Sequence, residues 1–168
     1  MKFSAIAAVA ATVLLSGCGY KLGEIRPTPM RSVRTIAVPT FKNNTFKPRL
    51  EVLFADTLVK RMQQDGTYEI VADDKADAIL YCTISKIETR ALRSVQNDVL
   101  ATSEFGLRVF SKYEVQDRVT GAILMQGTPQ AETTFFSGND LVTIERQAMS
   151  NAASELANRI MAEVSEGW

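Results

Sequence analysis

Apolar and polar positions follow a regular order along much of the chain, and the clearest order is at the C-terminal end. Over residues 141–164, apolar side chains recur every three or four residues, which is the spacing of one helix face. Asn139 and Asp140 precede this run, and the side-chain oxygen of either residue can cap the first turn. The pattern predicts a long C-terminal helix with one buried face.

A second helix is predicted in the first third of the chain. Pro48 suits a first helical turn because its fixed φ and missing N–H cost little there, and Gly66 is a natural C-terminal stop. The apolar residues between them recur at helical spacing: Leu50, Leu53, Phe54, Leu58 and Met62. This helix also has one apolar face, so it needs a sheet to cover.

The remaining segments have the pattern of strands. Residues 33–38 are β-branched and alternating, and Pro39 ends this first strand or places it near an edge. Residues 42–45 are polar and predict a turn. Three longer extended segments follow the first helix: 68–87, 102–116 and 122–136. The last of these contains Pro129, again a signal of an edge or a bulge.

The predicted order is therefore β-α-β-β-β-α, an α+β fold. In residues 102–116, odd positions are mostly apolar and the charged residues are all at even positions, so one face of the sheet is buried and the other is polar. We expect a two-layer sandwich, with two helices packed on one face of a mostly antiparallel four-stranded sheet. The opposite face of that sheet should be polar and free.

The N-terminus has the pattern of an export signal. Lys2 precedes an apolar run over residues 3–15, which is shorter than the roughly 20 apolar residues of a membrane span. The run ends in Leu15-Ser16-Gly17-Cys18, the lipobox pattern of bacterial lipoproteins. We predict that residues 1–17 are a cleaved signal peptide and that the Cys18 thiol accepts the lipid. Several acyl chains would then hold the protein on a membrane.

The predicted mature chain has two parts. Residues 18–31 contain Pro27 and Pro29 and show no periodicity, so we interpret them as a lipidated tether. Residues 32–168 form one domain, long enough for a core of its own. Gly19 follows the lipidated position, where an aspartate would favour retention at the inner membrane, so the sequence favours the outer membrane, on its periplasmic face.

Composition argues against several classes of function. The 19 basic and 19 acidic residues balance, so no net field favours nucleic acid as a partner. The sequence contains no histidine, the commonest general base and metal ligand, and no cysteine cluster. We therefore expect no metal, no cofactor and no enzymatic activity. Cys82 lies in an apolar stretch and is predicted to be a small buried residue.

One group of side chains is a candidate binding site. Lys86 and Arg90 have the same parity on one predicted strand, as Arg108 and Lys112 have on the next. If these strands pair, the four cations could form a surface that meets phosphate groups. The alternative is a solvated outer face, in which nearby acids balance the cations: Glu88, Glu104 and Glu114.

Several stretches together resemble the LptE lipopolysaccharide-assembly lipoproteins. They are the residues after the lipobox (Gly19-Tyr20-Lys21-Leu22), Ile36-Ala37-Val38-Pro39, Phe41-Lys42-Asn43-Asn44-Thr45, Pro48-Arg49-Leu50-Glu51-Val52 and Ala76-Asp77-Ala78-Ile79-Leu80. The similarity runs from the lipobox to the final helix, and its strength lies in the ordered set.

The resemblance implies a role at the outer membrane. Proteins of this family plug the lumen of the LptD β-barrel, help it to assemble and help to deliver lipopolysaccharide to the outer leaflet. It implies an LptD-like barrel and lipopolysaccharide as partners. The four cations are candidate lipopolysaccharide contacts because of their strand parity, and are not carried over from the family. An alternative is a CsgG- or LpoB-like lipoprotein, acting in secretion or activating peptidoglycan synthesis, because those proteins begin with a similar strand and turn.

Overall fold

The computed structural model describes residues 26–95, 98–136 and 140–167. The predicted signal peptide and Cys18 lie outside these residues. Two helices are present, α1 (Leu50–Asp65) and α2 (Leu141–Glu166). The strands are β1 (Thr35–Ala37), β2 (Lys42–Asn43), β3 (Glu69–Ile70), β4 (Ala78–Val95), β5 (Asp98–Asp117), β6 (Ile123–Gly127) and β7 (Gln130–Phe136).

A long antiparallel hairpin of β4 and β5 forms the centre of the sheet. On one side, β1 and β2 each pair in parallel with β4, and β3 pairs in parallel with β1. On the other side, β6 and β7 pair antiparallel with successive parts of β5. The two strands of the hairpin therefore carry every other strand of the described sheet, directly or through β1.

The α+β class is confirmed, but the prediction of a mostly antiparallel four-stranded sheet was wrong. The sheet has seven strands and includes parallel pairs. The parallel pairs arise because α1 is a crossover that returns the chain to the same end of the sheet, where β3 lies beside β1. Lys42–Asn43, predicted as part of a turn, form β2, and Pro129 separates β6 from β7 within the segment predicted as one strand.

Both predicted helices are present. α1 begins two residues after Pro48, because Arg49 adopts a left-handed conformation with φ of 66°. It ends as predicted at Gly66, which has φ of 73° and donates its N–H to Met62 O at 3.0 Å. α2 is capped by Asp140, whose carboxylate accepts the Thr143 N–H at 3.0 Å. Gly66 thus marks the end of α1, and Asp140 marks the start of α2.

One hydrophobic core joins both helices to a single face of the sheet. α1 contributes Phe54, Leu58 and Met62, and α2 contributes a face of alanines and larger aliphatic residues. The sheet contributes alternate residues of its central strands: Leu80, Cys82, Ile84, Leu107, Val109, Tyr113 and Val115. We call this the inner face of the sheet and the opposite one the outer face.

Candidate functional site

The structure places all four predicted cations on the outer face of the β4–β5 hairpin. Arg108 lies opposite Glu88 of β4, and Arg90 lies opposite Gly106 of β5. Lys86 lies opposite Phe110, which is two residues along β5 from Arg108. Lys112 is on the same side of β5 as Arg108, because residues of equal parity share a face. We call these four cations and the acids beside them the ionic face.

A β-bulge at Ser85 gives Lys86 and Arg90 their outward position. Up to Ile84, even-numbered residues of β4 are buried on the inner face. The register then shifts between Ile84 and Lys86, so Ser85 is an extra residue, and its hydroxyl donates to Phe110 O at 3.0 Å. Without this bulge, Lys86 would point into the core. The parity argument placed Lys86 and Arg90 together but missed the bulge that turns them outward.

Acidic side chains accompany the cations of the ionic face. Lys86 pairs with Glu88 at 2.6 Å, and Lys112 pairs with Glu114 at 2.6 Å. In both pairs the lysine lowers the pKa of the carboxyl group below its ordinary value of 4.5, chiefly by hydrogen bonding. The sequence therefore identified two of the acids that balance this surface.

Arg108 has an acidic partner that the sequence did not suggest. Its guanidinium donates to Glu132 of β7 at 2.8 Å, and the register places these two residues directly opposite each other. Glu132 was missed because a contact between β5 and β7 depends on where β7 begins, after Pro129. Alternation within residues 130–136 could have predicted which face of the sheet Glu132 lies on. It could not have predicted that Arg108 lies opposite it.

The ion pairs on this face are held loosely. The side chains of Lys86, Lys112 and Arg108 are 64%, 55% and 32% exposed, and pairs of this kind contribute at most about 1 kcal/mol each. An incoming phosphate can therefore replace a carboxylate partner at little cost. The arrangement is suited to exchangeable binding of anions rather than to a permanent site.

A double charge reversal tests this face. We expect Arg90→Glu with Arg108→Glu to weaken lipopolysaccharide binding by roughly tenfold or more, because each change removes a charge-assisted contact and adds repulsion. Binding of the full chain to lipopolysaccharide micelles at fixed ionic strength measures the effect. Arg159→Glu is the matched control, since Arg159 is an exposed arginine paired with Glu155, but on α2. Equal binding by both variants and the wild type would show that the ionic face is only solvated.

Two kinds of reactive group can be checked among the described residues, a thiol and a cluster of metal ligands. Cys82 is 5% exposed, as predicted, and burial raises the pKa of its thiol far above the usual range, which disfavours the reactive thiolate. Within the parts of the chain that the structure describes, no group of three metal-ligating side chains comes together. No helix in those parts is both long and apolar enough to cross a bilayer.

The segment that leads toward Cys18 joins the domain through Arg26. Its guanidinium donates to Val33 O at 2.6 Å and to Thr67 O at 2.7 Å, and it lies 5.0 Å from the centre of the Tyr68 ring. Tyr68 in turn donates its hydroxyl to Val164 O at 2.9 Å, inside the core. Met30 is fully buried nearby. Arg26 and Met30, within the segment 18–31 that we interpret as a tether, therefore contact the folded domain.

Comparison with known proteins agrees with this architecture. Uncharacterized lipoprotein B from Nitrosomonas europaea has a TM-score of 0.54 at 16% identity, covering 88% of this chain and 90% of that one. A minor lipoprotein from Acinetobacter baumannii has a TM-score of 0.53 at 16% identity, with 79% and 92% covered. The PelC dodecamer from Paraburkholderia phytofirmans has a TM-score of 0.52 at 15% identity, with 78% and 87% covered.

These likenesses define the class of fold: a small α+β domain that occurs in bacterial lipoproteins. The family model for LptE, described as lipopolysaccharide-assembly, matches residues 33–164. The chain therefore belongs to the LptE family. No curated protein matches the sequence as a relative.

Proposed function

We propose that this protein is a non-catalytic outer-membrane lipoprotein that plugs an LptD-like β-barrel, helps it to assemble and assists insertion of lipopolysaccharide into the outer leaflet. The observation that carries the proposal is the family match over residues 33–164, which spans all seven described strands, α1 and most of α2. Family membership supports the proposed function, and the geometry supplies parts that could perform it.

The shape of the sheet supports a plug. β4 and β5 contain 18 and 20 residues, which corresponds to lengths of about 60 and 65 Å. The apolar band of an outer-membrane barrel is only about 25 Å tall, so the hairpin could contact a barrel wall over the full height of the bilayer. The two helices and the core make the domain a solid body that can fill a lumen.

The N-terminal segment supports a position close to the membrane. If Cys18 carries the lipid, residues 18–25 separate it from the point where Arg26 is bound to the domain. Eight extended residues reach at most about 30 Å. The lipid would thus keep the domain within that distance of the periplasmic surface of the outer membrane.

The ionic face supports contact with a phosphorylated glycolipid. Its four cations are spread along one face of the hairpin, and three of them have carboxylate partners that phosphate could displace. Exchangeable contacts of this kind suit a lipid that must be released after binding. Lys86, Arg90, Arg108 and Lys112 therefore stay our candidates for contacts with lipopolysaccharide.

The CsgG- or LpoB-like alternative predicts a different assembly. The likeness to PelC, which was solved as a dodecamer, is a likeness of fold and is shared by lipoproteins of more than one kind. A secretion subunit would form rings of its own chain, whereas a barrel plug would be present as one copy in each barrel.

Purification at native expression distinguishes these readings. We expect a detergent extract, captured through an affinity tag at the C-terminus, to yield a stable one-to-one complex with a large β-barrel protein. Mass measurement of the intact complex gives the stoichiometry. Recovery of only the free lipoprotein, or of a ring of identical chains, would contradict the proposal.

A further inference from the structure

One edge of β4 is covered for only part of its length. β1 pairs with Ala78 and Ile79, and β2 pairs with Thr83 and Ile84. The hydrogen bond from Asn44 N–H to Ile84 O, at 3.0 Å, continues this ladder to Ile84. Among the described strands, β5 alone pairs with the rest of β4, and β5 lies on the opposite edge. We call the stretch from Lys86 to Ala91 the free edge.

The direction of one hydrogen bond shows which backbone groups point away from β5 along this stretch. Ser111 N–H donates to Pro129 O at 3.2 Å, on the side of β5 away from β4. Along a strand, the backbone groups of successive residues point alternately to one side and the other. The N–H and C=O groups of Val109 and Leu107 therefore point the same way as those of Ser111. Their partners on β4 are Ile87 and Thr89, whose N–H and C=O groups must therefore point to the free edge. Ala91 follows with the same parity.

The inner side of the free edge is uncovered at Thr89 and Ala91. Thr89 and Ala91 lie opposite Leu107 and Phe105, which are inner-face residues, yet Thr89 and Ala91 are themselves exposed. The helices that bury Leu107 do not extend over these two positions. An added strand would find space on the inner side for small or apolar side chains.

The charge of the free edge selects the kind of strand that fits it. From Lys86 to Ala91 the basic residues are Lys86 and Arg90 and the acidic one is Glu88, which pairs with Lys86, so Arg90 gives the free edge a net positive charge. Basic side chains on an edge disfavour pairing between two copies of the same strand, and they favour an acidic partner. The chemistry that fits is an extended segment with acidic residues on its outer side and small or apolar residues on its inner side.

We propose that an acidic extended segment of the β-barrel partner adds to the free edge of β4 as an additional strand. This inference rests on the proposed function, because it names the surface through which the plug binds its barrel. Backbone hydrogen bonds to Ile87, Thr89 and Ala91 supply the attachment, and the alternate side chains supply specificity. The ionic face is then continuous with the new strand through Lys86 and Arg90.

Hydrogen exchange on the co-purified complex tests the proposal. We expect the amides of Ile87, Thr89 and Ala91 to exchange quickly in the free full-length lipoprotein and roughly tenfold or more slowly in the complex. Thr89→Pro removes a free-edge donor without touching the ladder to β5, and should weaken the complex by about tenfold or more. Thr89→Ala keeps the N–H and is the matched control, expected to bind as the wild type does.

The outcomes separate this inference from the proposed function. A stable complex with unchanged exchange over 86–91 would overturn the added strand and leave the function standing, and this reading does not depend on how Thr89→Pro folds. Failure of the wild type to form any complex would remove both. Slow exchange of these amides in the lipoprotein alone would also overturn the inference. If the exchange rate then depends on protein concentration, a second copy covers the edge; if it does not, another part of the same chain covers it.

Discussion

Replacing Leu58 with alanine is expected to lower the free energy of unfolding by about 2–5 kcal/mol, the largest effect among the single substitutions considered for this fold. Leu58 is fully buried on the face of α1 that packs into the core. The change removes apolar contacts and leaves a cavity that the neighbouring helix and sheet can close only in part. Chemical denaturation of the full chain, followed by circular dichroism, measures the loss.

Leu141→Ala is the matched control for this prediction. It is the same chemical change, also in a helix, but Leu141 is 49% exposed in the first turn of α2. We expect a change within about 0.5 kcal/mol, as for most surface substitutions. Comparable losses in the two variants would mean that the core is not arranged between the helices and the inner face as described.

Gly127→Ala is expected to destabilise the fold by about 1–3 kcal/mol through overpacking, although it adds a single methyl group. A Cβ at Gly127 would lie 2.5 Å from Cε1 of Tyr113 and 2.5 Å from Oε2 of Glu163. Tyr113 is 1% exposed, and its hydroxyl interacts with Glu163. Burial raises the pKa of the Tyr113 hydroxyl, and the contact with Glu163 raises it further. The ring therefore has little freedom to move aside.

Gly106→Ala is the control for this prediction. It shows the general effect of replacing a strand glycine with alanine, without the close contact found at Gly127. A Cβ there would meet only the side chain of Leu92, at 3.2 Å, and Leu92 is 49% exposed and free to shift. We expect this variant to lose less than half of what Gly127→Ala loses. Thermal unfolding of the two variants, measured in parallel, decides the comparison, and an equal loss would contradict the close approach at Gly127.

The helices were predictable because their signals are local and repeated. The apolar face of α2 recurs over seven turns, and a residue with a suitable side chain, Asp140, stands at its start. The start of α1 was misplaced by two residues, because the left-handed backbone of Arg49 has no signature in the pattern. Local periodicity thus fixed the two helices and the buried positions of the central strands.

The sheet was less predictable because its order depends on distant contacts. β2 and β3 contain two residues each, which is too short to show alternation. Their parallel pairing is decided by where α1 returns the chain, and no residue in either strand encodes it. The count of four strands was wrong for this reason and because Pro129 divides the last extended segment into β6 and β7. The core residues of the sheet were correctly expected to come from the long segments.

The candidate site was partly visible in the sequence. Parity grouped the four cations correctly, and the acids Glu88 and Glu114 were recognised as possible partners. The bulge at Ser85 leaves only a weak trace: Ile87 is out of phase with Leu80, Cys82 and Ile84, but Ile79 is also apolar and odd-numbered. The partner of Arg108 and the free edge of β4 could not be predicted from the sequence. Both depend on which strands pair and on where each paired strand begins and ends.

Together, the family, the fold and the two surfaces support the proposal of an assembly subunit that works by contact. In this proposal the ionic face offers exchangeable sites for phosphate, and the free edge offers a backbone attachment for a partner strand. Both lie on the same hairpin, so binding to the barrel and binding to the glycolipid can be coupled without any moving part. The predicted lipid at Cys18 would restrict where that hairpin can act.

Depletion of the protein in its native host tests the central claim most directly. The account predicts that lipopolysaccharide on the cell surface falls, and that the folded form of the partner barrel falls with it, when the lipoprotein is depleted and recovers when it is restored. Surface lipopolysaccharide is measured by labelling intact cells, and barrel folding by heat-modifiable migration in gels. Unchanged surface lipopolysaccharide after complete depletion, with loss of secretion or of cell-wall synthesis instead, would contradict the account.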